Sequence, residues 1–403
     1  MKVLRIHNYY RVRGGEAVSS EAETRLLKHH GHQVDLLAAH NDSLDQLSSL
    51  QVLSKTVWAT DAYQEVKQQL AKEAYDIVHV HNTLPLFSPS VYYACKEAGV
   101  PVIQHLHNYR LLCPNGLFFR NEKVCEDCLG QAVPLPGIIH GCYRGSRPAT
   151  AGVAAMLTAH RAMGTWKNKI DYYIALTNFA REKFVEGGIP EEKIIVKPHF
   201  VYPDPGAGDG SGQYALYVGR LSVEKGLDTL LAAWKRLGDR IPLKIVGDGP
   251  LSEDVKQFVS DLPQAEWLGR KPLEEVYQLM GNASVVVVAS KWYETFGRII
   301  IESFAKGTPV LTSNLGAIAE LVEPYRTGLH FQAGNPDDMA RQIEWLLAHP
   351  QEWQEMRSNA RQEFENRYTA EKNYQAILDI YSRAQGQSRP GLAKAASERP
   401  IRF

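Results

Sequence analysis

The 403-residue sequence has no run of the about 18 to 20 apolar residues that a helix needs to cross a bilayer. Its first residues, MKVLRIHNYY, lack the apolar core and small-residue cleavage site of a secretory signal, so a cytoplasmic location is expected. Net charge is absent as well. The 45 Lys and Arg balance 45 Asp and Glu, which gives no global case for a nucleic acid partner. Cysteine is scarce and odd in number, five in all, and in a reducing compartment that argues against a disulfide framework.

What is present fits a globular chain: 44% of residues are hydrophobic, and the length exceeds one ordinary core, so about two domains are expected. Residues 2–6 read as a strand, the loop 7–16 contains Gly14 and Gly15, a helix follows over 17–28, and a second strand over 33–38 closes a βαβ unit. Paired glycines there either let backbone approach a ligand phosphate or simply make a tight turn. Strands at 76–81 and 101–107 bring His81, His105 and His107 to one sheet edge, as site candidates or as hydrogen-bonded core residues. Residues 150–168 form an amphipathic basic helix that either touches the inner face of a membrane or packs between domains. The run YPDPGAGDGSGQ, 202–213, breaks the rhythm. Strands at 215–218, 243–246, 266–268, 284–289, 310–311 and 328–331 then restart it.

The richest stretch is Ser290 to Gly307. It follows the uninterrupted β-branched run SVVVVA and precedes a helix with apolar residues at Ile300, Ile301, Phe304 and Ala305. In open α/β sheets ligands bind beyond the carboxyl ends of strands, where this strand–loop–helix lies. Arg220 and Lys225, five apart in a glycine-bounded loop, can bring two cations to a pyrophosphate. The helix beginning near Thr295, Phe296 and Gly297 offers free N–H groups to the same phosphates. Glu302, roughly 7 to 8 Å along that helix, can accept hydrogen bonds from ribose hydroxyls, and Glu294 from the hydroxyls of an attached sugar. The loop that starts at Gly247 is placed to select the base.

Between the histidine strands and the basic helix the α/β pattern is interrupted by Cys113, Cys125, Cys128 and Cys142, spaced C-x11-C-x2-C-x13-C. Four thiols around one C-x2-C pair suit a structural zinc ion or an iron–sulfur cluster, or are merely buried. Cys95 reads as a core thiol.

Residues 214–335 closely resemble the C-terminal domain of the retaining glycosyltransferases of family 4, through YVGRLSVEKGLDTLL, LKIVGDGP, WLGR, SKWYETFGRIIIESFAKGTPVLTSNLGAIAELV and TGLHF. The N-terminal half matches more loosely, through VRGGE, DIVHVHN and HLHNYRLLCPNG. The resemblance implies an α/β GT-B fold, two doubly wound Rossmann-like domains facing a central cleft. The domains would be 1–200, acceptor-binding with the cysteine insert at 113–142, and 214–369, donor-binding. A linker at 201–213, a crossover helix at 370–384 and a disordered tail at 385–403 would complete the chain. It implies Arg220 and Lys225 on the donor diphosphate, Glu302 on the ribose, Glu294 on the donor sugar and His107 near the anomeric carbon. No cofactor would be required for catalysis, and the leaving phosphate would help deprotonate the acceptor. The donor would be a UDP- or GDP-sugar and the acceptor a glycan or lipid-linked saccharide of a surface polysaccharide, with a nucleotide-sugar epimerase, a phosphorylase or a non-catalytic sugar-nucleotide binding subunit as the other classes on this fold. Cysteine inserts occur in a subset of similar enzymes that build surface polysaccharides. Where many relatives have Pro-Asn-Gly before the linker, this chain has Lys197, Pro198, His199 and Phe200.

Overall fold

A computed structural model describes residues 1–12 and 14–386; the tail expected from 385 onward lies, past residue 386, outside the described residues. Fourteen strands are described: β1 (Lys2–Tyr9), β2 (Gln33–His40), β3 (Ile77–Asn82), β4 (Val102–His105), β5 (Phe119–Arg120), β6 (Lys123–Val124), β7 (Tyr172–Ala175), β8 (Ile194–Val196), β9 (Ala215–Val218), β10 (Leu243–Val246), β11 (Ala265–Trp267), β12 (Val285–Val288), β13 (Val310–Ser313) and β14 (Gly328–Phe331). They form two six-stranded parallel sheets, ordered β2-β1-β3-β4-β7-β8 and β11-β10-β9-β12-β13-β14, and the small antiparallel hairpin β5-β6.

Helices cover both faces of each sheet, so the central strands are buried along their whole length and show no polar alternation. β12 is four valines, all buried. β3 is equally buried although it reads IVHVHN, which forces His79 and His81 to find partners inside the protein. In each sheet the chain reverses direction of winding beside its first strand, at β1/β3 and at β9/β12, and loops at such switch points leave a crevice for ligand. The loops after β9 and β12 carry Lys225 and Glu294.

Four helices escape the sequence pattern: Ser49–Val57, Thr60–Lys72, Leu135–Ile139 and Ser252–Asp261. The first was signalled, since Ser48 and Gln51 form a capping box with both reciprocal hydrogen bonds in place. The basic helix begins at Arg147, capped by Ser146, and ends at Ala162, because Gly164 turns the chain into the short helix Thr165–Asn168.

The glycine- and proline-rich run after Val201 lies against the C-terminal domain. A side chain at Gly208 would meet the backbone of Gly281 at 2.2 Å, and Arg357 donates to the Gly208 carbonyl at 2.6 Å. The last helix, Ala370–Ala384, crosses back and buries Ile377, Ile380 and Tyr381 against Val3, Ile77 and Ile174 of the N-terminal sheet. The two chain crossings run side by side: Val201 N–H donates to the Tyr368 carbonyl at 3.1 Å and bridges Thr369.

A buried charge set fastens both crossings. Lys197 Nζ lies 2.8 Å from Glu23 Oε2 and 3.2 Å from Asn373 Oδ1, and Asn373 Nδ2 donates to the Pro198 carbonyl at 2.9 Å. Burial alone would raise the Glu23 carboxyl, but Lys197, His79 and Arg5 hold it down, from 4.5 to about 2. Its stabilising contribution is therefore complete above about pH 4.5 and is lost as pH falls toward 2. Glu23→Gln strands Lys197 in the interior and should cost about 3 to 5 kcal/mol in urea unfolding. The variant should also show a shallower acid decline of stability than the parent between pH 4.5 and about 2, the window set by the two carboxyl values.

Candidate active site

Between the domains lies a cleft of about 590 Å³. Its C-terminal wall is built by the ends of β9 and β12. Val223–Lys225 forms one 3-10 turn, and Gly226, at φ 68°, turns the chain into the next helix. A Cβ at Gly226 would sit 1.8 Å from the Ala289 carbonyl, so only glycine lets this loop press against the end of β12. Lys225 Nζ thereby reaches Glu294 Oε1 at 2.8 Å and stands 5.4 Å from the Trp292 ring centre. Ser290 Oγ also donates to Glu294, at 2.5 Å. Burial would raise the Glu294 carboxyl; Lys225, then these hydrogen bonds, leaves it below its ordinary value and charged at neutral pH.

The helix Arg298–Ala305 begins at Gly297, at φ 98°, and no side chain caps it. Ile300 N–H turns back to the Gly297 carbonyl at 3.0 Å, which leaves the N–H groups of Arg298 and Ile299 without an intrahelical partner, and Thr295, Phe296 and Gly297 line the cleft beside them. Glu302 lines it too, one turn along, where Arg298 Nη2 holds its Oε1 at 2.8 Å. Arg298 escaped the sequence reading, although arginine four residues before a glutamate on one helix is a pairing signal. Its other nitrogen donates to Ser19 Oγ at 2.9 Å across the cleft.

On the N-terminal wall stand Gly15, Glu16, His107 and His199. Burial raises the Glu16 carboxyl to about 8 and pushes the His107 and His199 rings well below the usual histidine range. His105 and His107 stack with ring centres 4.2 Å apart, and His199 lies 5.7 Å from His107 and edge-on to Phe296 at 5.1 Å. Thus His199, which stands at the departure from the relatives' linker motif, belongs to the cleft.

Of the residues singled out by sequence, Gly15, His107, Lys225, Glu294, Thr295, Phe296, Gly297 and Glu302 meet at the cleft, while Gly14, Arg220 and Gly247 are not in its lining. Arg220 directly follows the lining residue Gly219; it is exposed, and its side chain has no hydrogen bond or ion pair among the described residues. Gly247, at φ 134°, is glycine for packing, since a Cβ there would lie 1.9 Å from the Gly219 carbonyl.

The expected metal site at the cysteines is not formed. Cys113, Cys125, Cys128 and Cys142 line one small recess, but among the described residues no group of three sulfurs comes within a shared ligating distance. All are free thiols; burial raises Cys113 and Cys142 and pushes Cys128 to about 11, and Cys113 Sγ donates to Asn115 Oδ1 at 3.0 Å. The residues that do approach as ligands are Glu23, His79, His81 and His105, whose ligand atoms lie within 4.8 Å of one another. Two fixed cations enter that group: Lys197 on Glu23 and Arg5 on His81. Their charge opposes a divalent ion there.

Several hydrogen bonds span the two domains. Tyr109 donates to the Glu294 carbonyl at 3.2 Å and Thr295 Oγ1 to the His107 carbonyl at 3.0 Å. Glu320 receives the Asn178 and Phe179 backbone N–H groups at 2.9 and 2.8 Å, at the start of the N-terminal domain helix Asn178–Glu186.

Two doubly wound domains facing each other over a polar cleft define the GT-B class of enzymes. Residues 13–204 match the family described as Glycosyltransferase Family 4, and residues 205–363 the family described as Glycosyl transferases group 1. The putative glycosyltransferase YtcC of Bacillus subtilis (strain 168) is 30% identical over 335 residues, 78% of this chain and 74% of that protein. The uncharacterized glycosyltransferase MJ1178 of Methanocaldococcus jannaschii is 30% identical, but the match spans 43% of this chain and about half, 49%, of that relative. Among solved structures, HepE of Anabaena in complex with UDP and glucose is similar at a TM-score of 0.67 and 19% identity, over 95% of this chain and 100% of that one. The lipopolysaccharide outer core galactosyltransferase WaaB is similar at 0.64 and 16% identity, over 95% and 100%. The chain belongs to the GT-B glycosyltransferases.

Glu320→Ala removes the carboxylate that caps a helix of the opposite domain. The radius of gyration from X-ray scattering should rise relative to the parent protein; an unchanged radius would mean that this contact does not hold the domains together.

Proposed function

We propose that the cleft binds a UDP- or GDP-sugar and that the enzyme transfers the sugar, with retention, to a lipid-linked or saccharide acceptor in surface polysaccharide synthesis. The observation that carries this is the Lys225–Glu294 pair beside the uncapped start of the helix Arg298–Ala305, at the switch point of the C-terminal sheet. That arrangement offers a cation and backbone N–H groups to a diphosphate, with carboxylates on either side for hydroxyls. In this reading Lys225 and Arg220 hold the diphosphate, and Thr295, Phe296 and Gly297 add backbone donors. Glu302 takes the ribose and Glu294 the donor sugar. His107 faces the transferred sugar, Gly14 and Gly15 lie near the phosphates, and the Gly247 loop lies near the base.

During transfer the bond between the anomeric carbon and the phosphate oxygen breaks, the acceptor oxygen bonds to the same face of that carbon, and its proton passes to the departing phosphate. Preplaced charge at Lys225 and Arg220 stabilises the phosphate as negative charge develops on it. The complex named for HepE contains UDP and glucose, and WaaB is named a lipopolysaccharide outer core galactosyltransferase; both support the reading by likeness of fold.

Membrane contact is part of the proposal. Among the described residues no helix is long and apolar enough to cross a membrane. Residues 129–170 nevertheless contain no Asp or Glu, against five Lys and Arg. The helices Ser49–Val57 and Leu135–Ile139 pack on Arg147–Ala162 and expose Leu50, Leu53, Leu135 and Ile139, with Arg144 and Arg147 exposed nearby. Apolar side chains among unopposed cations fit an anionic bilayer surface.

Calorimetry should detect UDP or GDP binding, weakened in Lys225→Ala by about 1.5 to 3 kcal/mol, roughly 10- to 150-fold. Failure of both nucleotides to bind the parent protein would end the donor reading. The protein should float with vesicles containing anionic lipid and not with neutral ones, and Leu135→Ser with Ile139→Ser should reduce flotation.

A further inference from the structure

Arg5, on β1, is wholly buried beneath the N-terminal wall of the cleft. Its guanidinium is anchored by the Ser20 hydroxyl at 2.9 Å and by the Ser20 carbonyl, and it touches His81 Nε2. A guanidinium can only donate, so Nε2 of His81 has to accept and the proton of that ring sits on Nδ1. His81 Nδ1 is 2.8 Å from His107 Nε2. With Nδ1–H donating, His107 Nε2 has to accept in turn, which moves the proton of His107 to its own Nδ1. His107 lines the cleft, and its Nδ1 takes part in no hydrogen bond among the described residues.

We propose that Arg5 and His81 are positioning residues that lock His107 in the Nδ1–H tautomer, so that His107 presents a hydrogen-bond donor, and no proton acceptor, to an oxygen of the bound sugar. The proposal rests on the reading that His107 faces the transferred sugar. Free histidine prefers its proton on Nε2, so the opposite tautomer needs a partner that imposes it. Burial keeps His81 and His107 well below the usual histidine range, with Arg5 adding to the effect at His81, and both rings are therefore neutral. Glu23 Oε1, 4.0 Å from His81 Nε2, is too far to take that nitrogen from Arg5. The His81 and His107 rings lie 20° from coplanar with centres 5.1 Å apart, so the in-plane N–H of one meets the in-plane lone pair of the other edge to edge.

The test is a long-range ¹⁵N–¹H correlation spectrum of the full chain labelled in histidine, with His107 assigned by its loss in His107→Gln. The expected spectrum shows His107 Nδ1 protonated and Nε2 bare, before any ligand is added. Arg5→Lys, still donor-only, should retain that pattern. His81→Asp places an acceptor against Nε2 and should reverse it, lowering kcat by about 100-fold or more while nucleotide affinity stays within about twofold. A protonated Nε2 in the parent protein, or an unreversed spectrum in folded His81→Asp, overturns the lock. A bare Nε2 together with full activity in His107→Gln instead overturns the placement of His107 at the sugar. Should His81→Asp not fold, the parent and Arg5→Lys spectra still decide.

Discussion

The cleft exists because both sheets are parallel and covered on both faces. Covered strands leave no open face for a ligand, so polar chemistry collects where the strands end and the chain turns into helices. Lys225, Glu294 and the start of the helix Arg298–Ala305 all occupy such ends in one sheet, and His107 in the other. Close backbone contact is what brings the first two together: with anything but glycine at 226, the loop bearing Lys225 would stand off from β12 and the pair would part.

The two walls solve the problem of buried charge differently. On the C-terminal side charges are paired one to one, Lys225 with Glu294 and Arg298 with Glu302, each pair facing the open cleft where a ligand can compete for it. On the N-terminal side Arg5, Glu23 and Lys197 are shut inside with a column of neutral histidines. On one wall the ion pairs stand where a ligand can compete for them; beneath the other, two cations share the single carboxylate of Glu23 and Arg5 also rests on His81, so one surplus positive charge is sealed in the interior.

Residues that act locally were legible in the sequence. SVVVVA followed by a glycine-bearing loop and an apolar helix foretold β12 and the cleft loop, because each signal lies within a few residues of the structure it makes. Arg298 required reading a helix pair as a bridge to Ser19, 279 residues away, and Arg5 required knowing that β1 and β3 are neighbours. The cysteines show the converse limit. Their spacing suits a metal, yet the fold brings them to one recess without gathering their sulfurs, while Glu23, His79, His81 and His105, spread over 83 residues with no motif between them, converge. The chain between Cys128 and Cys142 includes a helix, Leu135–Ile139, so their separation along the sequence does not set their separation in space.

The pairing of Val201 with Tyr368 and Thr369 places both passages between domains along one line. A body joined to another at a single point can swivel about any axis, whereas two adjacent tethers leave chiefly the rotation whose axis runs through both. Any rotation of one domain against the other is thereby confined chiefly to that single axis, a door-like swing in which facing residues of the two walls keep their register.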